Sequence, residues 1–141
     1  MSITDELKEN AKELTVLYVE DEDDIRSQVS QILGLFFGTM HVGVNGLNGL
    51  ELYKENEVDL VVTDLTMPKM NGIDMIKNIK EIDSLQHVIV LTAHNSSDNL
   101  IETMDLQIDG FLLKPMKMDK MLSLLTKVTN TINLEKKEEK K

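Results

Sequence analysis

Short apolar runs rich in β-branched residues alternate along this chain with longer stretches whose apolar residues recur every three or four positions. The clear runs are Val16-Leu17-Tyr18-Val19, Leu60-Val61-Val62, His87-Val88-Ile89-Val90-Leu91 and Phe111-Leu112-Leu113, and a weaker alternation runs from Met40 to Val44. Runs of this length read as strands buried on both faces, the habit of a parallel sheet. Between them lie amphipathic patterns. Ile25, Val29, Ile32, Leu33 and Phe36 mark one helix, and Leu47, Leu50 and Tyr53 mark another behind a capping Asn45. Ile73, Ile76, Ile79 and Ile82 mark a third, and Leu100, Ile101 and Met104 a fourth with Ser96, Ser97 and Asp98 as caps. Met121, Leu122, Leu125, Val128 and Ile132 give the last helix its apolar face. Ahead of the first strand, Ile3, Leu7, Ala11 and Leu14 share a helical face, with Ser2 and Asp5 spaced as a capping box.

Strands alternating with helices build right-handed βαβ units. The expected fold is therefore α/β: a doubly wound, five-stranded parallel sheet with helices on both faces, plus a short extra helix at the N-terminus. The domain is expected over residues 15–132, between a helical lead-in at 1–14 and a frayed charged tail at 133–141. Met121, Leu125, Val128 and Ile132 approach a heptad, but burial against the sheet explains them more simply than a coiled coil.

Composition narrows the function classes. At 141 residues the chain makes one domain, and the absence of cysteine rules out disulfides, thiol catalysis and zinc-thiolate sites. A net charge of -10 argues against direct nucleic-acid binding, while leaving room for a divalent cation or a basic partner. No stretch has the pattern of a signal peptide or a bilayer-spanning helix, so a cytoplasmic protein without membrane insertion is expected.

The polar residues that matter stand where the strands end, which in open parallel sheets is where ligands bind. Glu20 and Asp21 follow the first strand, Asp64 the third, Thr92 the fourth and Lys114 the fifth. Taken singly, each has a plain explanation: Asp64 as a turn residue before Met67-Pro68, or the acids from Glu20 to Asp24 as a solvated first helical turn. Together, three carboxylates, a hydroxyl and an ammonium on one sheet edge are hard to explain by packing. Such a set suits a hard cation with oxygen ligands, Mg²⁺ first, with Mn²⁺ as an alternative. A carboxylate there can accept a phosphoryl group as an acyl phosphate, with Lys114 and the cation offsetting charge and Thr92 bonding an oxygen. His41 has no companion at metal spacing and reads as structural.

Val-Glu-Asp-Glu at 19–22, Thr-Asp-Leu-Thr-Met-Pro-Lys-Met-Asn-Gly at 63–72, Leu-Thr-Ala at 91–93 and Leu-Lys-Pro at 113–115 resemble the receiver domain of two-component response regulators, chemotaxis regulators included. The resemblance covers about Thr15 to Ile132. It implies the flavodoxin-like strand order 2-1-3-4-5, which the residues alone do not derive. It implies that Asp64 accepts a phosphoryl group from a sensor histidine kinase or phosphotransfer protein, and that Glu20, Asp21, Asp64 and the Thr66 carbonyl hold Mg²⁺. By the same resemblance Lys114 pairs with the acceptor, the Lys114–Pro115 bond is cis, and Thr92 and Phe111 move together on phosphorylation. That movement would remodel the face of the fourth main helix, fifth strand and last helix, where an output domain, a target protein or a second copy docks.

Some positions depart from the pattern. Glu20 stands where many members carry Asp and Phe111 where some carry Tyr, and Thr66 and His94 occupy positions that in this family tune hydrolysis of the aspartyl phosphate. Beyond weak self-catalysed phosphotransfer and dephosphorylation, no enzymatic activity is expected. A phosphatase with an Asp nucleophile would want a second acid where Thr66 stands. A flavin carrier would want a small-residue phosphate loop where Glu20 to Asp24 stand. A receiver without phosphorylation is disfavoured by the intact Asp64, Thr92 and Lys114.

Overall fold

The computed structural model describes residues 2–92 and 97–139. Its elements run α1 (Ile3–Ala11), β1 (Thr15–Val19), α2 (Asp23–Gly34), β2 (Thr39–Gly43), α3 (Gly46–Glu55), β3 (Leu60–Asp64), α4 (Gly72–Ile82), β4 (His87–Thr92), α5 (Ser97–Met104), β5 (Gly110–Leu113) and α6 (Met118–Glu139). The five strands form one parallel sheet in the order β2-β1-β3-β4-β5, as expected.

Strand alternation divides the core into two layers. Val16 and Tyr18 of β1, Leu60 and Val62 of β3, and Ile89 and Leu91 of β4 pack with α1, α2 and α6. Leu17, Val19, Val61, Val88 and Val90 pack on the opposite side with α3 and α4. A period of two in the strands and 3.6 in the helices is what sorts these residues to the two layers.

The local signals that carry structural information by themselves hold. Ser2 and Asp5 form the capping box of α1, and the Asn45 side chain accepts from the backbone N–H of Asn48. Asn71, which the sequence does not mark as a cap, accepts likewise from Asp74. Three helical patterns need correction. Leu47 is 44% exposed, because α3 turns Gly46 and Gly49 inward with Leu50 and Tyr53. A Cβ at Gly49 would lie within 3 Å of both Val19 and Met75 side chains, so the close approach decides which face is buried. Ile82 is exposed while Met75 is fully buried, and Ile101 and Met104 of α5 face outward. Ser96, proposed as a cap, lies with Ala93, His94 and Asn95 outside the described residues.

The largest difference is at the C-terminus. The charged stretch expected to fray continues α6 to Glu139. His87 Nε2 lies 2.6 Å from Glu135, and Lys136 Nζ 2.8 Å from Asp59, clasping the extension to the starts of β4 and β3. The lead-in helix is part of the same body: Leu7 and Ala11 are fully buried, and Asn133 Nδ2 donates to the Asn10 carbonyl while Asn10 Nδ2 donates to that of Thr126.

Candidate functional site

Strand alternation assembles the site before any contact is considered. Glu20 follows Tyr18 by two, Asp64 follows Val62 by two and Lys114 follows Leu112 by two, so all three side chains belong to the layer of α2 and α6. Thr92 and Phe111 share the parity of Val90 and fall on the other side. β1 and β3 are neighbours and β5 is two strands away, so a long, flexible lysine is the group that can span from β5 to β3.

The distances bear this out. Lys114 Nζ is 2.9 Å from Asp64 Oδ2 and 3.1 Å from Glu20 Oε1. The other Asp64 oxygen, Oδ1, accepts from the Leu65 backbone N–H at 2.7 Å. One oxygen from each of Glu20, Asp21 and Asp64 can be chosen so that all lie within 4.8 Å of one another, the one such cluster of metal-capable side chains found among the described residues. Glu20 is fully buried, Asp64 nearly so, and Asp21 half-buried.

Electrostatics set these groups in tension. Burial, and next the negative charge of Asp64, push the Glu20 carboxyl up to about 7, although Lys114 pulls the other way. Burial works against the charge on Lys114, but its bonds to Asp64 and Glu20 outweigh that and raise its pKa. One ammonium therefore serves two acids in a dry setting while Asp21 waits beside them. A hard divalent cation bound by oxygen would relieve that imbalance, and the donor set fits one.

The loop after β3 is folded tightly back on the site. The Gly72 N–H donates to the Leu65 carbonyl at 2.7 Å, and a Cβ at Gly72 would stand 2.1 Å from the Asp64 carbonyl oxygen. Lys69 sits in the left-handed region at φ 69°, a local cost of ~1 kcal/mol that the loop absorbs. Thr66 is exposed in this loop, two residues beyond Asp64. Thr92 is buried at the end of β4, and its carbonyl accepts from the Lys114 N–H at 2.8 Å. Phe111 packs half-buried with the α3/α4 layer. The Lys114–Pro115 bond is cis. His94 lies outside the described residues.

One contributor escaped the sequence reading. Arg26 Nη1 donates to the Glu20 carbonyl at 3.0 Å and the Asp21 carbonyl at 3.3 Å, and its guanidinium pairs with Asp23. It holds the acidic turn in place from the first turn of α2. A lone arginine after five acids was the available signal, but its targets are backbone atoms, which side-chain patterns do not reveal.

Comparison with known proteins places the arrangement. The model of the response regulator receiver domain matches residues 16–126. The chemotaxis protein CheY of Bacillus subtilis is 33% identical over 116 residues, covering 82% of this chain and 97% of that one. The N-terminal domain of an uncharacterized protein from Wolinella succinogenes superposes with a TM-score of 0.80 at 30% identity, over 87% of this chain and 98% of that one. A chain of the CheX–CheY–BeF3–Mg²⁺ complex from Borrelia burgdorferi superposes with a TM-score of 0.75 at 29% identity, over 82% of this chain and 88% of that one.

Proposed function

The chain belongs to the response regulator receiver domain family, and from that premise we propose that it is a phosphoacceptor switch with Asp64 as the acceptor. The observation that carries this reading is the Asp64 carboxylate, held by Leu65 N–H and Lys114 Nζ and bordered by Glu20 and Asp21. An Asp64 oxygen forms a bond to phosphorus as the phosphorus–nitrogen bond to a phosphohistidine donor breaks, and the imidazole leaves with a proton from solvent. Lys114 turns from the carboxylate to the transferred oxygens. Thr92, whose side chain lies on the other side of the neighbouring strand end, would turn inward to bond another of them.

Glu20, Asp21, Asp64 and the Thr66 carbonyl would hold Mg²⁺, whose charge when bound offsets that of the incoming phosphoryl group. A magnesium ion in the Borrelia burgdorferi CheY complex supports that choice. Movement of Thr92 and repacking of Phe111 would then alter the surface of α5, β5 and α6, the route by which a kinase signal reaches an output domain, a target protein or a second copy. The NarL nitrate/nitrite response regulator of Escherichia coli, of which the match covers 55%, supports an attached output in some relatives.

The test is intact-protein mass after incubation with acetyl phosphate. A single phosphoryl adduct that requires Mg²⁺ is expected, and Asp64→Ala should abolish it with the fold unchanged by circular dichroism. An adduct of equal yield in Asp64→Ala would move the acceptor to another residue.

A further inference from the structure

Tyr18 is fully buried in β1, and its hydroxyl has no hydrogen-bond partner among the described residues. A buried hydroxyl left unpaired costs about 1–3 kcal/mol, and the hydrophobic cluster to which Tyr18 belongs would accept phenylalanine at no such cost. Register places the group. Tyr18 pairs with Val62 of β3, so its side chain lies one row beneath the row formed by Glu20 and Asp64.

Glu20 is the member of the site with room to use this donor. It has one more rotatable bond than an aspartate. One of its oxygens is engaged by Lys114 and the other by a long bond of 3.3 Å from the Glu22 N–H. A cation held with Asp21 and Asp64 would draw on one Glu20 oxygen and compete with Lys114 for it. The second oxygen then needs a donor that keeps the longer side chain in a single rotamer.

Resting on the cation site proposed above, we propose that Tyr18 is a positioning residue for it, donating its hydroxyl to Glu20 when the cation is bound. Tyr18 touches neither cation nor phosphoryl group; it acts by fixing where the Glu20 carboxylate sits.

Calorimetric titration of Mg²⁺ into wild type, Tyr18→Phe, Glu20→Asp and the double variant tests this. Tyr18→Phe should weaken Mg²⁺ binding about fivefold or more, while the cation-free protein melts at the same or a higher temperature because an unpaired hydroxyl is gone. In the Glu20→Asp background, where the shorter carboxylate draws back from the hydroxyl, the same substitution should have no effect on affinity. A second readout uses the protein's own chromophores, Tyr18 and Tyr53, with no tryptophan to obscure them. Saturating Mg²⁺ should shift the tyrosine absorption to the red in wild type and Tyr53→Phe, and leave Tyr18→Phe unchanged. Equal Mg²⁺ affinity in wild type and Tyr18→Phe, or an equal loss in both Glu20 backgrounds, overturns the role of Tyr18 and leaves the cation site standing. Absence of Mg²⁺ binding by wild type overturns both.

Discussion

Asp64 has two oxygens with two different duties: Oδ1 is tied to the backbone of its own loop and Oδ2 to Lys114. The first bond makes loop geometry part of the geometry of the proposed acceptor, and Gly72 is where that dependence is sharpest. Alanine is the better helix former by up to ~1 kcal/mol, so at an open helix start the change would stabilise. Here the added Cβ meets the Asp64 carbonyl oxygen and Leu65 Cα, both backbone atoms that cannot swing aside. Gly72→Ala is therefore expected to destabilise by on the order of 2 kcal/mol and to slow phosphorylation by acetyl phosphate. Urea unfolding decides the sign, and a stabilised variant would mean that the close approach does not constrain the loop. Residue identity alone made the strand-end groups legible, since Glu20, Asp21, Asp64 and Lys114 sit one or two steps past apolar runs. Arg26 and Tyr18 were not legible, because one acts on carbonyl oxygens and the other looks like any buried aromatic.

Among the elements, α6 shows how a long-range contact overrides a local pattern. The residues from Asn133 to Glu139 carry little apolar periodicity and none of them is buried, Ile132 being the last buried residue of the helix. The extension is held instead by ion pairs to strand starts. His87 links them, with Nδ1 2.9 Å from Asp109 and Nε2 2.6 Å from Glu135. Its hydrogen bond to Asp109 raises its pKa from 6.5 to about 9, with burial opposing and Glu135 adding to the rise. Below 6.5 the imidazole is charged in folded and unfolded chains alike and the clasp contributes fully. As pH rises toward about 9 the unfolded chain has lost its proton and the folded chain loses its own, so this contribution disappears across that window. Wild type should lose on the order of 2 kcal/mol between pH 6 and pH 9.5, and His87→Asn should lose clearly less. Parallel decline of the two in urea titrations would show that the clasp adds nothing to stability. α3 teaches the complementary lesson: a helical period marks a buried face only when side chains fill it, and here Gly46 and Gly49 do so by having none.

At the scale of the molecule, the sheet serves two layers and gathers its strand-end polar groups at one edge. Its C-terminal edge carries the acids, and the clasp and α6 extension occupy the opposite edge. The acids come from β1 and β3, so only the folded chain brings them together, and a cation bound there stabilises the fold by mass action. Mg²⁺ at one hundred times its dissociation constant should add about 2.7 kcal/mol to unfolding free energy. Asp21→Asn should lose most of that gain, as measured by thermal melting with and without the cation. An equal Mg²⁺-dependent rise in the variant would remove Asp21 from the site.

The amino-acid sequence by itself determined the alternation of strands and helices, the two-layer core and the groups presented at each strand end. These depend on period and on position relative to the nearest apolar run, which are properties of neighbouring residues. Tertiary structure alone decided the length of α6, the docking of α1 upon it, the inward turn of the α3 glycines and the bonds of Arg26 to the acidic turn. Each of these rests on contacts between segments far apart in the chain, where backbone atoms, close approach and paired charges outweigh the local pattern.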